Sequence, residues 1–394
     1  MRKSNRKAPA TFIFRDEVGL TKQLADVITE SNHFARDPGG KLYHFSGGVY
    51  QPKGETRVKA LVKRLLEASG NAAKWTVHRA SEVLEYIRID APELWSRPPL
   101  DIVNVRNGLL CTSDRELHPH TPQHLSTVQL PVQYDASADC PAWKKFIEEV
   151  FPRDALALPW EVAAWLMIPY TSIQKAVLLL GEGANGKSTF LEALTRFIGK
   201  PNVTNLSLHR LESDRFSVAR LVGRLANICP DLPSAHLAGT SVFKALTGGD
   251  VMTGERKFVD SFEFEPFARL VFSANQPPRS EDNSAGFFRR WLVVPFTRTF
   301  DETNGKVVPR AVLDARLSDP AELSGVLNQA LAYLPEVLRR GVGETASMRN
   351  AWGEFRTSTD PLAVWLDLNT VAHPAATVAK NVSRQSRNVP FPAK

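Results

Sequence analysis

A short glycine-rich run, residues 181–188, combines the residue types that bind the phosphate groups of a nucleotide. Gly181, Gly186, Lys187 and Ser188 match the pattern G-x-x-x-x-G-K-[ST], with an apolar run before it and a helix-like apolar repeat after it. The glycines let backbone N–H groups point at an anion, the lysine reaches the β- and γ-phosphates, and the hydroxyl group coordinates Mg²⁺. The pattern therefore predicts ATP and Mg²⁺ as ligands. The predicted nucleotide-binding residues are Gly181, Glu182, Gly183, Ala184, Asn185, Gly186, Lys187, Ser188 and Thr189.

Two polar residues follow apolar runs that are typical of buried strands. Asp231 comes after LANIC, and Asn275 comes after LVFSA. A carboxylate at the end of a strand beside a phosphate loop holds Mg²⁺ and water, whereas an amide there orients the attacking water or senses the γ-phosphate. Asp231 also lies between two prolines, so a role as a turn residue is the alternative. We predict Ser188 and Asp231 as metal ligands, and Lys187, Asp231 and Asn275 as catalytic residues.

Two adjacent arginines precede the apolar run LVVPF. They are Arg289 and Arg290, in the segment FFRRW. Arginines at the edge of a subunit can contact the nucleotide of a neighbouring subunit, which predicts a catalytic role for these two residues in an oligomer.

A third cluster lies near the tip of a predicted hairpin. It consists of Arg256, Lys257 and Phe258. Basic residues beside an aromatic ring favour single-stranded DNA as a ligand, because phosphates meet the charge and a base or a sugar meets the ring. An ordinary exposed hairpin is the alternative.

Apolar periodicity predicts the elements that position these residues. The overall pattern indicates an α/β fold whose core is a parallel sheet, preceded by a smaller α+β domain. Around the glycine-rich loop, strands are predicted over 176–180, 225–229, 270–274 and 292–296, helices over 141–150, 160–170 and 189–198, and a polar connection over 205–216. In the N-terminal part, helices are predicted over 18–34, 58–66 and 80–87, a β-hairpin around 46–48, and short strands over 102–110 and 128–134.

Length and composition limit the possible classes of protein. A chain of 394 residues is longer than one core usually serves, so two or three domains are expected. The net charge of +7 suits an anionic partner, although the excess of basic over acidic residues is small. Three widely spaced cysteines indicate neither disulfides nor zinc, and no apolar run is long enough to span a membrane, so a cytoplasmic protein is expected. His118, His120 and His124 fit no common zinc spacing and are interpreted as solvated loop residues.

The motifs taken together resemble those of superfamily 3 helicases, and most closely the phage/plasmid primase family with its poxvirus-type helicase domain. The matching runs are GEGANGKSTFL, LANICPDLP, FKALTGGDVMTGERKF, LVFSANQPP and FFRRWLVVPF, in that order. The resemblance implies a ring-shaped, hexameric ATPase of the AAA+ kind that moves along DNA at the replication fork of a mobile element in a bacterial host. It also implies that Asp231 is the acidic Walker B residue, that Asn275 is the polar sensor, and that Arg290 or Arg289 is the arginine finger. Lys257 and Phe258 would lie at a DNA-contacting hairpin.

The same resemblance implies the domain organisation. Residues 1–138 would form the domain that precedes the helicase, 139–300 the ATPase core and 301–374 a helical lid, with 375–394 as a basic, disordered tail. Many relatives carry two acidic residues where this chain has Pro230 and Asp231, which leaves open which group positions the water. Neither a primase domain nor a winged helix is evident, so a separate primase or replication initiator is a possible partner.

Three functions compete at this point. The first is a DNA helicase acting on single-stranded or forked DNA, and the second is a ring ATPase that melts or loads at an origin without processive unwinding. The third is a small-molecule kinase. The basic hairpin and the paired arginines disfavour the kinase, because a kinase needs neither DNA nor a neighbouring subunit.

Overall fold

The computed structural model describes residues 19–300 and 308–359, together with Trp365 and Asn369. The chain divides into two compact units. The first takes Met1–Tyr134 and Val251–Glu265, and the second takes Asp135–Asp250 and Pro266–Lys394, so the chain passes between units three times. The predicted tail (residues 375–394) lies outside the described residues, as does part of the predicted helical lid (301–374).

The elements of the described residues are numbered in chain order. The α-helices α1 to α12 are Leu20–Ser31, Gly54–Ala68, Val77–Asp90, Pro141–Val150, Leu158–Leu166, Lys187–Ile198, Leu208–Ser213, Ser241–Gly248, Ala285–Phe288, Arg310–Leu317, Pro320–Arg340 and Ala346–Thr359. The strands β1 to β8 are Phe34–Arg36, Leu42–Ser46, Val49–Gln51, Ile102–Val105, Gly108–Cys111, Leu117–His118, Ala176–Leu180 and Val203–Thr204. The strands β9 to β15 are Ala226–Cys229, His236–Leu237, Met252–Arg256, Val259–Phe264, Arg269–Ala274, Arg279–Ser280 and Trp291–Pro295.

The first unit combines three helices with small antiparallel sheets. Helices α1, α2 and α3 bury residues at spacings of three and four, for example Leu24 with Ile28 and Val58 with Val62, and these side chains share one apolar cluster. Strands β1, β2 and β3 form one antiparallel sheet, and β4, β5 and β6 form another. The hairpin of β11 and β12 also belongs to this unit.

The second unit is built around a five-stranded sheet with the order β15-β7-β13-β9-β8. Every pairing in it is parallel. Strands β9 and β13 are buried along their whole length, and β7 and β15 are buried except at the last residue. Such continuous apolar runs are typical of a parallel sheet covered on both faces. The predicted mixed α/β fold with a parallel sheet is thus confirmed.

Several predicted elements have different bounds or are absent. The helix predicted over 18–34 ends at Ser31, because the extended Asn32 bonds back to the Ile28 carbonyl and Phe34 begins β1. The helix predicted over 160–170 ends at Leu166, shortly before Pro169. No strand forms over 128–134, a segment interrupted by Pro131.

The polar connection predicted over 205–216 was also wrong. It contains helix α7, whose N-terminus is capped by Ser207: the Ser207 hydroxyl oxygen accepts a hydrogen bond from the Arg210 N–H. A serine cap followed by buried Leu208 and Leu211 is a helix signal that the sequence analysis missed.

Candidate functional site

Parallel pairing brings the ends of three strands to one edge of the five-stranded sheet. Leu180, the last residue of β7, pairs with Ala274, the last residue of β13. Phe272 of β13 pairs with Cys229, so a residue two positions after Cys229 lies level with Ala274. Gly181, Asp231 and Asn275 therefore leave the sheet at the same carboxyl edge, which is where open α/β sheets bind ligands.

Lys187 is the first residue of α6 and its side chain folds back over the loop that precedes it. The Lys187 ammonium donates to the carbonyl oxygens of Gly181 and Glu182 at 2.6 and 2.8 Å, and to the Asn185 side-chain oxygen at 3.0 Å. The side chain is 4% exposed. Burial lowers the pKa of the Lys187 ammonium, and the Asp231 carboxylate opposes this shift.

Asn185 organises the loop. Its amide nitrogen donates to the carbonyl oxygens of Glu182 at 2.5 Å and Phe296 at 3.1 Å, while its oxygen accepts from Lys187. Asn185 therefore connects two parts of the loop and also connects the loop to Phe296, the residue after β15. Asn185 is predicted as a nucleotide ligand from its place in the loop, and the sequence does not indicate this internal role.

Two glycines are required by the space around them. A Cβ atom on Gly181 would lie 2.2 Å from the Phe296 carbonyl oxygen. Gly186 has φ of +90°, and its Cβ would lie 2.8 Å from Val150 Cγ1. By contrast, a Cβ on Gly183 would meet no atom within 4 Å. The two glycines of the phosphate-loop pattern are thus the ones that the packing demands.

The predicted metal ligands are oxygen donors that reach solvent at this edge. Ser188 is exposed in the first turn of α6, and Asp231 is exposed after β9. Asp231 adopts φ of 54°, and its N–H donates to the Ser273 hydroxyl at 3.3 Å. A hydroxyl and a carboxylate suit Mg²⁺, which keeps several waters and takes few protein ligands. Ser273 was not predicted as a supporting residue.

Both arginines lie at the opposite end of the same sheet. The carbonyl oxygen of Arg290 accepts from the N–H of Ala176, the first residue of β7. The Arg290 guanidinium donates to the Thr247 hydroxyl at 2.9 Å and to the Gly286 carbonyl, while Arg289 donates to the Gln174 side chain at 2.8 Å. A five-residue strand, about 15 Å at the usual rise, separates them from the glycine-rich loop. Burial, followed by the neighbouring charge of Arg289, lowers the pKa of Arg290.

The three residues that are predicted to contact DNA differ in their surroundings within the hairpin. Arg256 pairs with Val259, so Lys257 and Phe258 form a two-residue turn. Phe258 has φ of 63° and is 103% exposed, and Lys257 is exposed as well. Arg256 instead forms an ion pair with Asp37 at 2.8 Å. Its guanidinium is therefore engaged by the protein, and DNA binding by Arg256 stays a prediction without support from its contacts.

Two family models match parts of the chain. Residues 22–152 match the family described as D5 N terminal like, and residues 179–290 match a family of unknown function, DUF5906. Over 129 residues the chain is 30% identical to the "Putative helicase L207/L206" of Acanthamoeba polyphaga mimivirus. That match covers 31% of this chain and 13% of the mimivirus protein.

Solved structures share the fold. The apo structure of the NrS-1 C terminal region has a TM-score of 0.55 at 13% identity, covering 88% of this chain and 76% of that one. Its A form gives a TM-score of 0.51 at 13% identity, covering 88% of this chain and 79% of that one. In the part of the chain that the structure describes, no helix is long and apolar enough to cross a membrane.

Proposed function

We propose that this protein is an ATP-driven DNA helicase of superfamily 3 that translocates along single-stranded or forked DNA in the replication of a phage or plasmid-like element. The observation that carries the proposal is the convergence of the glycine-rich loop, Asp231 and Asn275 at one edge of a parallel sheet. The similarity of part of the chain to a protein named as a helicase, and of residues 22–152 to the D5 N-terminal family, supports the same class.

In the proposed site each residue has a defined task. Lys187 leaves its carbonyl partners and donates to the β- and γ-phosphates, while the N–H groups that begin α6 contact the same oxygens. Ser188 and Asp231 would hold Mg²⁺, which neutralises charge on the phosphates when it is bound. Asn275 orients the water that attacks the γ-phosphorus. The bond from that phosphorus to the bridging oxygen breaks, and the products are ADP and inorganic phosphate.

The arginines are proposed to act on the nucleotide of a neighbouring subunit in a homo-hexameric ring. Arg290 is fixed by Thr247 and Gly286 at the amino end of its own sheet, a full strand length from its own phosphate loop. An arginine side chain cannot span that distance, so a catalytic arginine at this position requires a second copy of the chain. Arg289 is the alternative finger.

The hairpin tip is proposed as the DNA contact. Lys257 would meet a phosphate, and the fully exposed Phe258 would meet a base or a sugar. Because the Phe258 ring is exposed, its face is accessible for stacking on a base beside the charge of Lys257.

Strand displacement on a forked duplex tests the proposal. The wild-type chain should hydrolyse ATP and release the displaced strand, and Lys187→Ala should do neither. ATP hydrolysis that is stimulated by DNA without strand release would instead indicate a ring that melts or loads at an origin. Phosphoryl transfer to a small molecule, with no response to DNA, would contradict the proposal.

A further inference from the structure

The hairpin of β11 and β12 is held beside its turn by an ion pair with a residue far away in the chain. The Arg256 Nη1 and Nη2 atoms donate to the two carboxylate oxygens of Asp37 at 3.0 and 2.8 Å, across 219 positions of sequence. Asp37 is 2% exposed. A guanidinium that meets both oxygens of a carboxylate is fixed in angle as well as in position. Both partners belong to the first unit.

Other groups around Asp37 also help to fix the position of Arg256. The Lys41 N–H and the Tyr43 hydroxyl donate to the Asp37 carboxylate at 3.0 and 3.2 Å. The Arg256 guanidinium lies over the ring of Phe262, 4.6 Å from its centroid. A Cβ atom on Gly39 would lie 2.7 Å from the Arg256 Nη1 atom and 2.9 Å from the Phe262 ring. A side chain at position 39 would therefore require Arg256 or Phe262 to shift.

The pair fixes the tip because of where Arg256 lies. It is the residue directly before Lys257, and it pairs across the hairpin with Val259, directly after Phe258. Because the turn has only two residues and Arg256 is fixed, the orientation of Lys257 and Phe258 can change very little. A second pair at the end of the hairpin, Arg97 with Glu265 at 3.3 Å, is more exposed and contributes less.

We propose that Asp37 is a positioning residue for nucleic-acid binding: through Arg256 it sets the direction of the Lys257 and Phe258 tip. This inference rests on the proposed DNA contact of the tip. The N-terminal segment that carries Asp37 would then serve the DNA contact of a hairpin whose sequence lies between Asp250 and Pro266, between the two segments of the second unit.

Binding of a fluorescently labelled oligo(dT) strand, measured by anisotropy, tests this role with Asp37→Asn, which removes the charge and keeps the size. The variant should bind about five- to tenfold more weakly, because a tip in the wrong direction loses part of its charged contact and part of its stacking. ATP hydrolysis without DNA should stay at the wild-type rate. Glu85→Gln is the matched control, because Glu85 pairs with Arg88 at the surface of the same unit.

The triple variant Asp37→Asn/Lys257→Ala/Phe258→Ala separates positioning from a general loss of affinity. If Asp37 acts through the tip, the triple variant binds no more weakly than Lys257→Ala/Phe258→Ala. If the fold losses of DNA affinity caused by Asp37→Asn and by the tip substitutions multiply, the inference is wrong.

Hydrogen exchange of the hairpin amides separates failure of this inference from failure of the DNA contact itself. Asp37→Asn and Arg256→Gln should both exchange faster over residues 252–264, while the melting temperature of each variant reports whether the unit stays folded. Wild-type DNA binding by Lys257→Ala would refute the tip as a DNA contact. Unchanged exchange in both anchor variants would refute Asp37 as the anchor.

Discussion

The phosphate loop and the hairpin tip are both tight turns that carry a lysine, but they are held in place by different means. The loop is stabilised mainly by its own residues: Asn185 and Lys187 bond to carbonyl groups within six positions, and Asn185 adds one bond to the distant Phe296 carbonyl. The hairpin depends on Asp37, 219 positions away from its partner. A turn that is stabilised locally leaves a recognisable sequence pattern, whereas one that is fixed from a distance leaves none.

This difference predicts which activity is lost when each turn is changed. Changes within the phosphate loop should abolish or impair nucleotide chemistry and leave DNA contacts intact. Changes at the hairpin should leave nucleotide chemistry intact and impair DNA contacts. The following variants test that separation, beginning with the largest expected effect.

Replacing Lys187 with alanine should abolish ATP hydrolysis. The ammonium is proposed to neutralise charge on the phosphates as they separate, and we expect turnover to fall by more than about 10³-fold. The measurement is steady-state phosphate release, with Lys200→Ala as the control because Lys200 is an exposed lysine beyond the end of α6. Wild-type turnover in Lys187→Ala would contradict the phosphate-loop assignment.

Replacing Arg290 with alanine should slow hydrolysis by about 10³-fold while ATP binding stays normal, since the residue is proposed to serve a neighbouring subunit. Equilibrium nucleotide binding and phosphate release are compared in the same preparation. Adding an excess of Lys187→Ala protein should restore part of the activity at mixed interfaces. Arg289→Ala tests which arginine is the finger, and loss of ATP affinity in Arg290→Ala would place this residue in its own subunit's site.

Replacing Gly181 with alanine should destabilise the second unit by about 1–3 kcal/mol, because the new Cβ atom would overlap a backbone oxygen that cannot move freely. Chemical denaturation followed by fluorescence measures the loss. Gly183→Ala is a matched control in the same loop, since no atom lies within 4 Å of its Cβ position. Equal stability of the two variants would contradict the packing described for Gly181.

At the hairpin, Phe258→Ala should weaken binding of single-stranded DNA by about tenfold without changing its salt dependence. Lys257→Ala should lower the slope of log affinity against log salt by about 0.7 for each lost phosphate contact. Both variants should hydrolyse ATP at the wild-type rate in the absence of DNA and should fail to unwind a forked duplex. Unwinding at the wild-type rate by both would show that the hairpin is structural.

The candidate nucleotide site could be predicted in large part because its residues follow elements with strong local signals. The runs AVLLL, LANIC and LVFSA are continuous apolar strands, and their parallel pairing puts Gly181, Asp231 and Asn275 at one edge. The role of Asn185 could not be predicted, because its partner Phe296 follows a strand more than a hundred positions later.

At the hairpin the sequence predicted the turn and its exposure correctly, but not the contacts of Arg256. Three neighbouring residues, Arg256, Lys257 and Phe258, looked equivalent as a basic and aromatic cluster. Their difference comes from Asp37, which forms an ion pair with Arg256. Local composition carries no information about a partner supplied by a distant loop, and the same limit applies to Thr247 beside Arg290.

The hydrogen bonds that Lys187 makes within its own loop bear on how quickly products leave the proposed site. When ADP and phosphate depart, a buried ammonium with no acceptor would be costly and would retain the anion. Here the carbonyl oxygens of Gly181 and Glu182 and the Asn185 side chain accept the ammonium directly. In the proposed site the lysine would exchange one set of acceptors for another, so we expect the affinity for product to be moderate and the loop to return to its starting state after each turnover.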